Sequence, residues 1–464
     1  MNIKKENYVE IEKYYRMISY LIKQIPKDKT FTKFQQIYLG CYMFLGDFFA
    51  GRKNLETAEK FYHKGITIGK QLVENKDYIK ENVNLLASYS KYINICKEMG
   101  KLKEVDKYIK EQLELINKIV EKTGKVYYLR QFICTYRDYL MNKQKFTNAE
   151  DFNFNIFTFI EQVAEKTTNI ELFPELIRYF NIFGNYFFQQ RNLTKAKNYF
   201  KKSIDFCWRL LDTEFTEETR YNLANIYWNL GQVLEQEGPN SESEAQECFR
   251  KQSDICEGLM EISKSENIQR LLSLGYERQG NIYFRHGNVN NALKFYEKAL
   301  FLSEQLLQEN NNYIYRCDLA VGYHQLGIVY LKIEKQEEAE TCFKNSYLLL
   351  RDIFNETKSI EDYRNLTICY QDFGDLNRKK GEIEKSERFY RKHLNRRKKI
   401  FEKTNEIQDY QNLGLAYCLL ACCREPYDQN LLEEALEIYT FLVTEYPLVG
   451  DFSYHLAVIK ECMN

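Results

Sequence analysis

Amphipathic segments recur along most of the chain at an interval close to 47 residues. If Gly280 is taken as the reference position, its equivalents form the series Gly46, Ile93, Arg137, Gly184, Gly231, Gly280, Gly327, Gly374 and Ala421. Neighbours in this series are 47 residues apart in six of the eight intervals, and 44 and 49 residues apart in the other two. A fixed period in this range is typical of a repeat array, in which each unit buries its apolar face against its neighbours. The sequence therefore predicts nine related units.

Two further columns of residue types predict that each unit contains two helices. Four residues before the reference position, eight of nine units have an aromatic residue: Tyr42, Tyr89, Phe180, Tyr227, Tyr276, Tyr323, Tyr370 and Tyr417. This spacing places both positions on one face of a first helix. A second helix is predicted around a column of small residues: Ala58, Val105, Ala149, Ala196, Ala245, Ala292, Ala339, Ser386 and Ala435. Four residues after each of them comes the ring position, which is apolar in eight units: Tyr62, Ile109, Phe200, Phe249, Tyr296, Phe343, Tyr390 and Tyr439.

Six of the nine reference positions are glycine. A glycine inside a helix costs about 1 kcal/mol relative to alanine, so the column needs a structural reason. We expect the backbone of the second helix to pass very close to each of these glycines.

Two stretches, "YERQGNIYFRHGNVNNALKFYEKAL" and "YHQLGIVYLKIEKQEEAETCFKNS", carry a resemblance to the tetratricopeptide repeat family. The resemblance extends over about residues 31 to 447. It implies an all-α fold, a right-handed superhelical solenoid of antiparallel helix pairs. The period of 47 exceeds the usual 34 of that family, and it predicts helices of about 20 residues, roughly 30 Å long. HEAT repeats share the longer period and are the alternative, but the glycine and alanine columns favour the tetratricopeptide repeat.

The ends of the array are predicted to differ from its interior, because terminal units must shield the exposed core. We expect an N-terminal capping helix within residues 1–30, nine helical hairpins in residues 31–447, and a C-terminal capping helix in residues 448–464.

Composition excludes several classes of function. Lys plus Arg and Asp plus Glu are balanced at 66 each, so overall charge indicates neither nucleic acid nor an acidic membrane as a partner. Thirteen cysteines without paired spacing, and an N-terminus without an apolar run, predict a cytoplasmic protein with reduced thiols. Metal-ligand, nucleotide-binding and nucleophile motifs are absent, so we expect no enzyme, no metal and no cofactor. The dense thiols Cys418, Cys422 and Cys423 are better read as core residues than as a metal or redox site.

A polar column one residue after the reference position indicates a binding surface. Seven of its nine members are amides or carboxylates: Asp47, Asn94, Asp138, Asn185, Gln232, Asn281 and Asp375. Amide side chains both donate to and accept from a peptide backbone, so this ladder suits a segment lying in a concave groove. With neighbouring positions on the same face, the predicted partner-binding residues are Asn181, Asn185, Trp228, Gln232, Glu277, Asn281, Arg285 and His324. Alternatively, the column is simply solvated, and Trp228 packs between helices rather than anchoring a partner.

A local excess of positive charge marks residues 377–403. Lysines and arginines at helical spacing form a basic stripe, which comprises Lys385, Arg388, Lys392, Arg396 and Lys399. This stripe would suit an acidic partner, nucleic acid being the less expected one, or it is a solvated outer face.

The resemblance implies a non-catalytic adaptor that holds a protein or peptide in its concave groove. As such it would serve as a regulatory or accessory subunit of a bacterial complex, of which defence and protease complexes are examples. The alternative is a sensor similar to bacterial peptide-pheromone receptors, which regulates a partner protein and carries no membrane segment.

Overall fold

A computed structural model describes residues 17, 20, 31–75, 79–123, 160–161, 164–165, 170–446 and 452–463. The chain divides into two compact units, Met1–Ile182 and Phe183–Asn464. Every regular element in the described ranges is helical.

The first unit contains consecutive helices that pack against one another in pairs. The helices are α1 (Phe31–Ala50), α2 (Leu55–Asn75), α3 (Ile79–Glu98), α4 (Leu102–Thr123) and the first part of α5 (Phe173–Gln189), which spans the boundary of the two units.

The second unit continues the pattern, and each helix again packs against the next. Its first four pairs comprise α6 (Leu193–Leu211), α7 (Glu217–Glu237), α8 (Glu242–Met260), α9 (Glu266–Arg285), α10 (Val289–Glu309), α11 (Tyr313–Lys332) and α12 (Gln336–Thr357), together with the end of α5. The remaining helices are α13 (Ile360–Lys379), α14 (Ile383–Thr404), α15 (Ile407–Ala421), α16 (Gln429–Glu445) and α17 (Phe452–Met463). The odd-numbered helices up to α15 are the first helices of the repeats and the even-numbered ones are the second helices.

The predicted glycine contact exists, but a ring rather than a backbone makes it. A methyl group added to Gly374 would lie 2.4 Å from Cε1 of Tyr390, and one added to Gly327 would lie 2.4 Å from Cε1 of Phe343. The same relation joins Gly46, Gly184, Gly231 and Gly280 to the residues at their own ring positions. Glycine therefore makes room for an aromatic side chain on the second helix.

The small residues of the second helices lie in the interior of the helix pairs. The six alanines of this column in the described ranges are completely buried. In the eighth unit Ser386 replaces alanine, and its hydroxyl donates to the carbonyl of Gly374 over 2.7 Å. In this unit the second helix therefore contacts the backbone of the first through the small-residue position.

Seven of the eight first helices in the described ranges end in the same way, the exception being α15. Seven residues after the reference position the backbone has a positive φ in seven repeats: Lys53, Gly100, Arg191, Gly238, Gly287, Glu334 and Gly381. This left-handed conformation ends a helix and favours glycine, which four of the seven repeats provide. The turn between paired helices is thus set by backbone geometry more than by residue type.

The observed helices confirm the predicted length, since α6 to α14 have 19 to 22 residues. Helix α17 packs against α16 and buries Phe452 and Ile459. Except for positions 17 and 20, the predicted cap in residues 1–30 lies outside the described residues, as does the unit around Arg137. The division into caps and nine hairpins therefore stays a prediction.

No helix in the described part of the chain has the length and apolar character that crossing a bilayer requires.

Candidate functional site

Neighbouring first helices of the second unit lie side by side. Helix α7 contacts α9, and α11 contacts α13, in addition to the contacts within each helix pair. Polar side chains on these four helices therefore come together from positions about 47 residues apart in the sequence.

A hydrogen-bonded network links α9 to α11. The side-chain amide of Gln325 donates to Glu277 over 2.9 Å and lies 3.4 Å from the oxygen of Asn281. The hydroxyl of Tyr296 donates to that same oxygen over 2.6 Å. Burial raises the pKa of Glu277, which therefore holds a proton more readily than an exposed glutamate does. Glu277 and Asn281, both predicted site residues, thus join two repeats.

The bond between Tyr296 and Asn281 recurs in other repeats. Tyr62 donates to Asp47 over 2.7 Å, and Tyr390 donates to Asp375 over 2.6 Å. In these three repeats the polar residue after the reference position accepts a hydrogen bond from the tyrosine at the ring position. This internal role was not predicted from the sequence, although the ring position indicates it. The ring is tyrosine, which can donate, in these three repeats, and phenylalanine, which cannot, in the repeats of Asn185, Gln232 and Ile328.

Trp228 lies half-buried on α7 against the second helix of its own repeat. Its ring centroid is 5.5 Å from that of Phe249, and the guanidinium of Arg278 lies 5.6 Å from its centroid. Arg278 is in turn 3.5 Å from Glu235. Truncating Trp228 would therefore remove packing and a cation–π contact as well as any contact with a partner.

Arg285 lies at the C-terminal end of α9 and is held by carboxylates. It donates to Glu235 over 3.0 Å and to Glu242 over 2.7 Å. An open cleft of about 310 Å³ adjoins these residues at the turn of Gly238 and Pro239. The arginine thus lies in a cleft, but its charge is already compensated.

A larger cleft separates α11 from α13. It has a volume of about 340 Å³, and its walls include His324, Ile328, Ile368, Gln371, Asp375 and Arg378. His324 and Ile368 also line an adjoining apolar slot of about 80 Å³. Val321 and Ile328 on α11 are 41% and 36% exposed, which leaves two aliphatic side chains partly open to solvent. Ile328 was not among the predicted site residues, because it is one of the two exceptions in the polar column, with Cys422.

His324 is fixed at the edge of this cleft by an ion pair. Its Nδ1 lies 2.9 Å from a carboxylate oxygen of Asp372. Burial of the ring opposes its protonation, but the hydrogen bond to Asp372 raises the pKa of His324 above its ordinary value. The cleft therefore places the pair of His324 and Asp372 beside two aliphatic side chains.

The other predicted residues are distributed along the chain. Asn185 and Gln232 are half-buried on α5 and α7 of the second unit, and Asn181 is half-buried on α5 in the first unit. The structure thus groups Glu277 with Asn281, Trp228 with Arg278, and His324 with the cleft between α11 and α13.

The basic stripe follows α14, a second helix. Lys385, Arg388, Lys392 and Lys399 are exposed, whereas Arg396 is half-buried with its guanidinium 4.4 Å from the ring centroid of Tyr370. Across the described ranges, no group of three or more His, Cys, Asp or Glu side chains is arranged to hold a metal ion.

These features define a class of protein. The chain is a repeat protein whose described elements are all helical, and it presents clefts between successive helices.

One repeat matches a known family. Residues 275–305, from the second half of α9 into α10, match the model of the tetratricopeptide repeat. Other pairs place an aromatic ring over the equivalent glycine, as Gly327 and Phe343 do. The chain thus contains a tetratricopeptide repeat within a longer array of helix pairs that pack alike.

Solved structures with similar folds share little sequence with this chain. BtubC from P. vanneervenii is 17% identical with a TM-score of 0.40, and the match covers 56% of this chain and 95% of that one. A signal transduction ATPase with a tetratricopeptide repeat sensor from Pyrococcus horikoshii is 14% identical with a TM-score of 0.44, over 88% of this chain and 55% of that one. The S. pombe nuclear import adaptor Nro1 is 11% identical with a TM-score of 0.41, over 62% and 98%. No curated protein matches the sequence, and nothing about function follows from these likenesses.

Proposed function

We propose that the chain is a non-catalytic scaffold that binds a protein or peptide on its first helices, as a regulatory or accessory subunit of a larger complex. The observation that carries this proposal is the cleft between α11 and α13, with the partly exposed Val321 and Ile328 beside His324.

The chemistry of this cleft suits a peptide. Aliphatic walls bind an apolar side chain of the partner, and burying such a side chain contributes about 1.5 to 3 kcal/mol. The amide of Gln371 can pair with a peptide backbone, because it both donates and accepts. Arg378 and Lys379 supply positive charge within the same cleft, beside the carboxylates of Asp372 and Asp375.

The surface extends from this cleft to the neighbouring first helices. Glu277 and Asn281 continue it on α9, and Trp228 and Gln232 continue it on α7. Asn185 and Arg285 complete the proposed set in the second unit, and Asn181 stays a separate prediction in the first unit. Because Asn281 already accepts from Tyr296, we assign it a supporting role and place the main anchor at Ile328.

A matched pair of substitutions tests the proposal. Ile328→Glu places a charge on the first helix of the seventh repeat, at a residue that is 36% exposed. Leu348→Glu is the control, because Leu348 is 44% exposed on the second helix of the same repeat. Both variants should fold, and thermal melts followed by circular dichroism would check this.

The binding readout is capture of partners by tagged protein from its native host, followed by titration with the purified partner. We expect Ile328→Glu to weaken binding at least thirtyfold, about 2 kcal/mol, if a buried anchor is lost, and Leu348→Glu to bind like the wild type. Equal binding by all three proteins would place the site elsewhere.

A further inference from the structure

A second groove lies between two second helices, α12 and α14, and the first helix α13 forms part of its floor. One end is a cleft of about 580 Å³ lined by residues that include Lys344, Phe373, Lys385, Phe389 and Lys392. The other end is a cleft of about 540 Å³ lined by residues that include Phe354, Lys358, Tyr363, Lys399 and Lys403. Arg396 lies between the two ends, with its guanidinium 5.0 Å from the ring centroid of Tyr363.

The groove is positively charged. The cations that line the two clefts are Lys344, Lys358, Lys380, Lys385, Lys392, Lys399 and Lys403, and the anions are Glu340, Glu382 and Glu402. Seven cations less three anions leave a net charge of +4, to which Arg396 between the clefts adds one more. Glu340 is engaged by Lys344 at 2.6 Å and by Lys380, and Glu382 by Lys385 at 3.0 Å. The excess therefore falls mainly on α14, at Lys392, Arg396, Lys399 and Lys403.

The repeat itself does not require this charge. At the same register, α14 has six basic residues: Lys385, Arg388, Lys392, Arg396, Lys399 and Lys403. The equivalent residues of α12 are Glu338, Thr341, Asn345, Leu349, Asp352 and Glu356. Those of α10 are Asn291, Lys294, Lys298, Leu302, Gln305 and Glu309. Since all three helices occupy the same place in their repeats, packing alone does not explain the basic residues of α14.

The floor of the groove is aromatic, and its rings are packed against one another. The ring centroids of Tyr347 and Tyr370 are 6.0 Å apart at 84°, and those of Phe373 and Phe389 are 5.2 Å apart. Rings locked in this way offer their edges and apolar sides rather than open faces. Binding of single-stranded nucleic acid relies on open faces that stack with bases, so this floor favours apolar side chains as ligands.

We propose that this groove binds an acidic segment of a protein partner, in which carboxylates alternate with apolar residues. The groove follows α14 from residue 385 to 403, about 27 Å, which matches an extended segment of about eight residues. Carboxylates on one side of the segment pair with Lys392, Arg396 and Lys399, and apolar residues on the other side cover the aromatic floor. The site is independent of the proposed surface on the first helices.

The test uses the whole chain and a fluorescent eight-residue peptide in which glutamate alternates with leucine. Its counterpart, with lysine in place of glutamate, controls for apolar binding. The variant is K392E/K399E, because both lysines are exposed on α14. The matched control is K294E/K298E, which makes the same charge change at two exposed positions of α10.

We expect fluorescence anisotropy to show that the acidic peptide binds the wild type and K294E/K298E equally, and K392E/K399E at least tenfold more weakly. Binding should also weaken between 50 and 300 mM salt, roughly the range over which exposed charges become screened. Undetectable binding, or equal loss in both variants, would overturn the proposal. Tighter binding of a twenty-residue oligothymidine, lost in K392E/K399E, would overturn it in favour of nucleic acid. Self-association that only K392E/K399E abolishes would assign the groove to a second copy of the chain.

Discussion

Glycine-to-alanine substitution should have opposite effects on stability at two positions of α11. Only one of them, Gly327, contacts the aromatic ring of its own repeat. In Gly327→Ala the new methyl group would lie 2.4 Å from Cε1 and 2.6 Å from Cδ1 of Phe343. In Gly322→Ala the nearest atom is the terminal Cδ1 of Leu300 at 3.1 Å, with the next atom 4.0 Å away. Ordinary contacts between carbon atoms are about 3.5 to 4.0 Å, so only the first substitution requires a large displacement.

The magnitudes follow from two opposing effects. Each substitution gains about 1 kcal/mol from the higher helix propensity of alanine. At Gly327 this gain is outweighed, because Phe343 is 1% exposed and cannot turn away; such overpacking costs about 1 to 3 kcal/mol or more. Leu300 can adjust, so Gly322→Ala should range from neutral to stabilising. We expect the free energies of unfolding of the two variants to differ by about 2 kcal/mol.

Urea titration followed by circular dichroism would measure this difference. Phe343→Leu in combination with Gly327→Ala provides a check, because a smaller side chain should relieve the overlap. The double variant should lose less stability than the sum of the single losses. Equal stability of Gly322→Ala and Gly327→Ala would refute the assignment of the ring to the glycine, and with it the register of the repeat.

Two further predictions concern the same repeat and its neighbour. Ala339 is completely buried, so Ala339→Leu should lower stability by about 1 to 3 kcal/mol. Thr341→Leu, on the exposed side of the same helix, should change the melting temperature little. Similar melting curves for the two variants would contradict this prediction. Burial opposes protonation of His324, but the hydrogen bond to Asp372 raises the pKa of His324 in the folded state. The pair therefore stabilises the fold fully below about pH 6.5, the ordinary pKa of histidine. This contribution is lost as the pH rises through the raised pKa of the folded state. His324→Gln should therefore cost about 1 kcal/mol at pH 5.5 and much less at pH 9, and an equal cost at both pH values in denaturant titrations would argue against the pair.

The repeat could be read from the sequence because its signals are local. Spacing along a helix decides which residues share a face, and a 47-residue period repeats that decision in every unit. The small column at Ala339 and the ring at Phe343 were assigned in this way, and both are buried as expected. The identity of the atoms over Gly327 was not predicted, because a glycine column reports that space is limited but not what fills it.

The candidate sites depended on the tertiary structure to a greater degree. The basic residues of α14 follow from helical spacing alone, whereas the aromatic floor beneath them comes from α12 and α13 and appears only when three helices pack. In the polar column, sequence could not distinguish a ligand-binding amide from an acceptor for a tyrosine hydroxyl fifteen residues away, as at Asn281. The cleft beside Ile328 joins residues about 40 positions apart, so it exists only once α11 and α13 lie side by side. The sequence by itself thus determined the repeat and its register, because these depend on neighbours along one helix. The tertiary structure decided which polar and apolar side chains remain exposed to solvent, because their exposure depends on what the next repeat covers.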